Sequence, residues 1–260
     1  MDLANKILLE KSDDKKWEMV QEMFSILYNS ENKIKLTNKF RLCQSIYNYA
    51  IYLLYEDKIE KSKEIFDFIY QNNLTESAAT NQVIFYFNYS TLFLKIGETQ
   101  KAIEMHTYVM NSFQGIHESK LTLFIIRNIY LNLLNNKFEN VFQDISEITP
   151  RLFKEDQQLY VRALLIIYLI ETQDIESACR ECENARKTSM FNSELAAEES
   201  MIIQFIHSLI LLQIKEKISL TKFNKVEVNI TTSDLWKSSN HLLKIWLKKY
   251  LERVGQIVKT

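Results

Sequence analysis

The chain has 260 residues, a formal net charge of −1, 47% hydrophobic residues and 25% charged residues, the composition of a folded protein able to bury a large core and not that of a disordered or collagen-like chain. Near-neutral charge argues against direct nucleic-acid binding, which needs cations concentrated along a contact surface. Three Gly and one Pro favour long helices over a turn-rich sheet protein.

Taken in chain order, the N-terminal stretch MDLANKILLEKSDDKK lacks the basic start and apolar run of a secretory signal. Helical periodicity predicts elements near 2–10, 14–29, 34–55, 58–71, 76–96, 98–113, 117–135, 138–149, 155–172, 174–189, 193–214 and 234–257. Thr75, Asn192 or Ser193, and Ser233 offer side-chain oxygens to helix N-termini. Gly115 suits the left-handed residue that ends a helix. Apolar runs such as LLIIYLI at 164–170 are too short to cross a bilayer, so a cytoplasmic location without a membrane partner is expected. Between 216 and 232 the segment KVEVNITT alternates like a strand, but a lone strand has no partner, and an extended connector is expected there. No Ser-, Gly- or Pro-rich linker interrupts the chain.

Four stretches repeat one theme: LYEDKIEKSKEIFDFIY, LKIGETQKAIEMHTYVM, LLNNKFENVFQDISEI and IETQDIESACRECENAR. Asp57, Gly97, Asn136 and Gln173 align at a turn between two helices. Ser62, Ala102, Val141 and Ala178 align five residues later, at intervals of 40, 39 and 37. Further along that second helix Phe66, His106, Ile145 and Cys182 align, as do Ile69, Val109, Ile148 and Ala185, and these spacings of four and three describe one helical face. Val20, Phe24 and Leu27 carry the pattern back by 42 residues. A period near forty signals stacked helix hairpins, an all-α solenoid whose surfaces hold other molecules.

The stretch NYSTLFLKIGETQKAIEMHTYV, from Asn88 to Val109, resembles a tetratricopeptide repeat, with Gly97 and Ala102 at its characteristic small positions. The units here are longer than the usual length of about 34. Long, degenerate repeats of this kind resemble the peptide-sensing domains of bacterial quorum-sensing regulators of the Rap, NprR, PlcR, PrgX and Rgg types. That resemblance implies a right-handed α-solenoid of tetratricopeptide-like hairpins over residues 1–232, with 233–260 as a C-terminal capping helix of the same domain. It also implies binding of a short peptide or extended protein segment, as the sensor part of a regulator. Most such regulators carry an N-terminal helix-turn-helix of about 65 residues, for which the repeats, starting by residue 14, leave no room, so the expectation is either that the chain is a fragment or that its output is a protein contact instead of DNA binding. The alternative is an adaptor that scaffolds a protein complex without a small peptide ligand.

No glycine-rich phosphate loop, HExxH or serine-nucleophile elbow occurs, so neither catalysis nor a cofactor is expected. Cys179-Arg180-Glu181-Cys182 is a CxxC, but Cys182 falls at the packed repeat position inside a helix, and a second ligand pair for structural zinc is missing. Core packing is the expected role of Cys182, with no metal site. Cys43 reads as a small buried apolar residue, and His106 shares the packing register of Phe66.

The binding constellation is an asparagine ladder. Asn48, Asn88 and Asn128 recur at intervals of 40 and 40 on the first helices of their units, where a carboxamide can grip both N–H and C=O of an extended peptide. The tetratricopeptide resemblance implies that role for an asparagine at this point. Counting back nine from Asp57 and Gly97 reaches Asn48 and Asn88. From Asn136 the same count reaches Arg127, which competes with Asn128 as the equivalent. Gln44, Phe85, Phe124 and Asn132 lie one turn away, Arg41 and Asn81 two turns back, and Arg162 opens the corresponding face of the next unit, where it could hold a carboxylate. The plainer reading, that an Asn-rich chain scatters asparagines over exposed helix faces, stands beside the ladder.

Residues 213–260 hold ten Lys or Arg against four Asp or Glu. In the last helix Leu235, Leu242, Trp246, Tyr250, Val254 and Ile257 form an apolar stripe, with Lys237, His241, Lys244 and Lys248 on a polar one. Such a helix is expected to cap the open end of the repeat stack and could also form a homodimer.

Overall fold

The computed structural model describes residues 6–7, 9–29, 36–78, 82–112, 118–152, 154–214, 220–233 and 242–259. Among these residues the chain is all-α. The helices are α1 (Asp13–Asn29), α2 (Leu36–Tyr55), α3 (Ile59–Gln71), α4 (Thr75–Ala78), α5 (Gln82–Lys95), α6 (Thr99–Ser112), α7 (Glu118–Leu134), α8 (Val141–Ile148), α9 (Glu155–Glu171), α10 (Ile175–Arg186), α11 (Ala197–Ile214), α12 (Leu220–Thr232) and α13 (Leu243–Lys259). Short 3-10 turns occupy Thr149–Arg151, Ser189–Asn192 and Glu194–Ala196. The chain divides into two compact units, residues 1–114 and 115–260.

The aligned turn positions share one backbone state. Asp57, Gly97, Asn136 and Gln173 all adopt left-handed φ, at 59°, 83°, 55° and 65°, and Asn73 joins them at 54°. In each case the following amide reaches back five residues to a carbonyl of the ending helix: Lys58 to Leu53 (2.9 Å), Glu98 to Phe93 (2.9 Å), Lys137 to Asn132 (2.9 Å) and Asp174 to Leu169 (2.8 Å). That bond, with the left-handed residue before it, is the Schellman closure, which satisfies carbonyls a helix end would leave open. Only Gly97 takes it without a Cβ penalty.

The small position five residues on is sealed in every hairpin: Ser62, Ala102, Val141 and Ala178 are all fully buried. Phe66, His106, Ile145 and Cys182 follow one turn later and Ile69, Val109, Ile148 and Ala185 after that, all buried, as are Val20, Phe24 and Leu27 on α1. In the first unit the α3 stripe meets an aromatic cluster in which the Phe66 and Tyr89 rings stack with centroids 5.4 Å apart and Phe85 lies 5.4 Å from Phe66.

In the second unit α10 packs on α9 and α11, and α13 on α11 and α12. Residues 194–214, which include α11, are long and apolar enough to cross a membrane, and most of that stretch is buried inside the unit. It is the one such stretch among the described residues.

Several elements depart from expectation. The segment near 216–232 is no extended connector, because Leu220–Thr232 is a helix. Phe223 and Ile230, seven residues apart, are both buried, and packing of that helical face overrides the strand preference of the Val and Thr residues. Of the helix expected over 76–96, the described parts are α4 and α5, and residues 79–81 between them lie outside the described residues. The helix expected near 2–10 lies largely outside the described residues, as do Gly115 and residues 234–241 of the predicted last helix. On α13 the apolar face is carried by Leu243, Trp246, Leu247, Tyr250 and Val254, all buried, while Ile257 is exposed. Ser193 caps the 3-10 turn at Glu194–Ala196, and Asp174 caps α10 by accepting from the Ser177 amide at 3.1 Å.

Candidate functional site

In the first unit α2 presents a stripe with Arg41 and Asn48 exposed and Gln44 half-buried. The same face continues to Tyr52 and Tyr55, also exposed, since offsets of 3, 7, 11 and 14 from Arg41 stay on one side of a helix. Sequence reasoning stopped at Asn48 and missed the two tyrosines. Tyr52 is held from beside, with the Lys16 ammonium 5.4 Å from its ring centroid and Tyr49 stacked on it at 6.0 Å.

Asn88, on α5, is half-buried, and its carboxamide nitrogen donates to the Tyr47 hydroxyl at 2.7 Å. That hydroxyl donates to the Ile84 carbonyl at 3.4 Å. Burial pushes the Tyr47 phenol up to about 12, so it keeps the proton that this relay uses. The carboxamide of Asn88 is thereby fixed in orientation, with one of its two N–H donors committed to Tyr47. Phe85, one turn away, is fully buried and packs into the aromatic core. Asn81 lies outside the described residues.

In the second unit Arg127, Asn128 and Asn132 are half-buried on α7, and Phe124 is buried in the core. With Asn136 established as the left-handed turn residue, the count of nine falls on Arg127. Arg162 lies on α9 and lines a recess of about 310 Å³. Ile145, Leu152, Val161, Leu165 and Met190 supply apolar walls, and Thr149, Gln158 and Glu181 supply polar atoms. The Arg162 guanidinium donates to Glu181 Oε1 at 2.6 Å. One oxygen occupies one of its five N–H donors, so a fork remains with which a planar carboxylate could pair.

The first unit has a more polar recess of about 580 Å³, lined by Tyr70, Asn73, Thr75, Glu76, Gln82 and Tyr86 among others. There the Tyr108 hydroxyl donates to Gln82 Oε1 at 2.6 Å and Gln82 Nε2 donates to Thr75 Oγ1 at 2.7 Å.

Cys182 is fully buried on α10 and its thiol is pushed up by desolvation. Cys179 is half-buried and faces His207 of α11, with Sγ and Nε2 3.7 Å apart. Desolvation, followed by the neighbouring Arg186, lowers the pKa of His207, and desolvation raises that of the Cys179 thiol. Both groups are therefore neutral near pH 7. The CxxC marks Cys179, but its partner is 28 residues downstream on another helix, where no local spacing points to it.

Among the described residues the basic excess near the C-terminus is spread over two helices, with Lys222 and Lys225 exposed on α12 and Lys248 and Lys249 exposed on α13. Arg253 is drawn instead into a two-pronged pair with Glu171, at 2.9 and 2.5 Å.

No protein-family model matches this chain, and no curated protein or solved structure shows significant similarity to it.

Proposed function

We propose that this protein binds a short peptide or an extended protein segment and acts by holding it. The observation that carries this reading is the Arg162 recess, whose apolar walls and flanking guanidinium form a concave site suited to a terminal carboxylate with an adjoining apolar side chain. The outward stripe from Arg41 to Tyr55 supports it with polar and aromatic contacts on a rigid helix. On this reading the protein is a cytoplasmic binding module, not a catalyst, and its hairpins are tetratricopeptide-like repeats of a right-handed solenoid. The recurring left-handed turns and sealed small positions support that assignment. A sensor role in a bacterial peptide-responsive regulator of the quorum-sensing type extends the proposal on the strength of the repeat resemblance alone.

The adaptor alternative draws on Tyr52 and Tyr55, exposed one turn apart on α2, a spacing that could receive a partner's helix. A homodimer through α13 would have to use its outer face, because its apolar face is covered by α11 and α12.

The test is selection from a displayed library of short linear peptides with free C-termini, followed by calorimetric titration of the enriched sequences. Arg162→Ala should weaken binding about tenfold or more, as loss of a charge-assisted pair worth about 1.5–3 kcal/mol requires. Amidating the peptide C-terminus should have a comparable effect. Absence of enriched peptides, or binding indifferent to both changes, would reject this site. The double variant Asn48→Ala, Asn88→Ala tests the ladder in the same titration.

A further inference from the structure

We propose that Cys179, Glu183 and His207 form a binding site for a borderline transition-metal ion of the zinc class, separate from the peptide reading. The thiol sulfur, a carboxylate oxygen and an imidazole nitrogen lie within 4.8 Å of one another. Cys179 and Glu183 are one turn apart on α10, and His207 comes from α11, which packs against it. Bond lengths of about 2.3 Å to sulfur and about 2.0 Å to nitrogen place tetrahedral S and N ligands about 3.5 Å apart, close to the 3.7 Å between Cys179 Sγ and His207 Nε2. A sulfur, a nitrogen and an oxygen make the mixed set that zinc accepts while keeping one position open, whereas calcium and magnesium require oxygen ligands.

Burial of the histidine is a second observation. His207 is only 6% exposed, on a helix whose other inward residues include Ile203, Ile206 and Ile210. A buried imidazole is held in one orientation by whatever its two nitrogens face. Nδ1 lies 3.3 Å from Arg186 Nη1. A guanidinium can only donate, so Nδ1 accepts and Nε2 carries the proton, directed at Cys179.

Ion binding follows from this arrangement. The thiol proton departs to solvent as the sulfur–metal bond forms. The imidazole keeps its single proton but moves it, through solvent, from Nε2 to Nδ1, which frees the Nε2 lone pair for the metal. Nδ1 then becomes a donor, so Arg186 must turn away, and its exposed position on the last turn of α10 permits this. Arg186 thus opposes the ion both as a cation and as a donor. A glutamine there would instead offer a carbonyl to Nδ1–H, the outer-shell partner that metal-bound histidines favour.

The experiment is titration of the full-length, tag-free protein with Co²⁺, read by optical absorption and followed by competition with Zn²⁺. One ion per chain is expected, with a thiolate-to-cobalt charge-transfer band. Cys179→Ser should abolish the band with helicity unchanged by circular dichroism. Glu183→Gln, at an exposed position, should weaken binding about tenfold or more, since even outer-shell partners contribute about 10–100-fold. Arg186→Gln should tighten it several-fold. Absence of the band, a band that survives Cys179→Ser, or an affinity lowered by Arg186→Gln would overturn the site.

Discussion

The Ser62 hydroxyl, fully buried on α3, donates to the Ala50 carbonyl of α2 at 2.8 Å. Forty residues later the partners exchange roles, and Ser90 of α5 donates to the Ala102 carbonyl of α6 at 2.8 Å. The two hairpins keep one hydroxyl and one methyl at the closest approach of their helices but place the hydroxyl on opposite sides. The site therefore selects for small volume first and for a hydrogen bond second. Ser62→Ala should cost about 0.5–1.5 kcal/mol, the net worth of one such bond. Ser62→Leu should cost more, about 1–3 kcal/mol or above, by forcing the helices apart. Urea denaturation of both variants ranks them, and the reverse order would show that volume is not the constraint.

The left-handed turns carry opposite predictions at two aligned positions. Gly97 has φ of 83° and open space where a Cβ would sit, so Gly97→Ala should add about 1–2 kcal/mol of backbone strain, offset in part by about 0.5–1 kcal/mol of chain entropy no longer lost on folding, for a small net loss. Gln173 holds φ of 65° with a full side chain. Gln173→Gly relieves about 1–2 kcal/mol of strain against about 0.5–1 kcal/mol of added chain entropy. A small net stabilisation is expected in chemical denaturation, and destabilisation would mean that the glutamine side chain makes a compensating contact.

The turns and packing stripes were legible in the sequence because they depend on local rules repeated at a fixed interval. A residue that must enter the left-handed region, and a small residue five positions later, leave the same mark four times. The site residues were only partly legible. Phe85 and Phe124 lie three and four residues from Asn88 and Asn128, yet at the edge of a helix face one turn of drift carries a side chain from the rim into the core. The Arg162 recess gathers residues from α8, α9, α10 and two 3-10 turns, and Cys179 meets His207 across two helices. Convergence of this kind has no period to read. Helix α12 was misread because Val226-Glu227-Val228 alternates locally, while the contact that decides it, Phe223 against Gly255, spans α12 and α13.

That contact is itself testable. A Cβ built at Gly255 would lie 3.0 Å from Cζ and 3.3 Å from Cε1 of Phe223, a ring that is buried and cannot simply turn away. Alanine is the better helix former by about 1 kcal/mol, so propensity alone predicts that Gly255→Ala stabilises. Steric crowding predicts a loss of about 1–3 kcal/mol and should dominate. The double variant Gly255→Ala, Phe223→Leu should recover part of that loss. Stabilisation by the single variant would mean that α12 is not seated against α13 as described.

Alkaline pH should weaken the fold. Burial pushes the Cys43 thiol up to about 11 and the phenols of Tyr47 and Tyr160 up to about 12, whereas unfolded thiols and phenols ionise near about 8.5 and 10. Above those values the unfolded chain has lost protons that the folded chain retains, so stability is complete below about pH 8.5 and falls as pH climbs towards the folded values. Thermal melts across about pH 8–11 should show a falling midpoint, with a shallower slope in Cys43→Ala. In native labelling with a thiol reagent Cys179 should react first, while Cys43 and Cys182, both fully buried, should react only after denaturation. A midpoint that does not change over that range would contradict the burial of these groups.

Trp246 offers the largest single effect expected. Its ring is 3% exposed and stacks on Tyr250 at 4.8 Å, and its indole N–H donates to Glu171 Oε1 at 2.7 Å. The same carboxylate receives both prongs of Arg253, so two residues of the last helix, two turns apart on one face, are fastened to a single residue of α9. Trp246→Ala removes the ring and one of these donors, and about 3–5 kcal/mol should be lost. Trp246→Phe keeps most of the apolar area and loses the N–H bond, a smaller cost of about 1–3 kcal/mol because Glu171 retains Arg253. Truncation after Ile230 removes α13 entirely and uncovers the faces of α11 and α12 beneath it, and such an uncovered apolar surface should drive aggregation. A truncated protein that stays soluble, melts cooperatively and keeps the intact midpoint would show that α13 is an appendage and not part of the second unit's core.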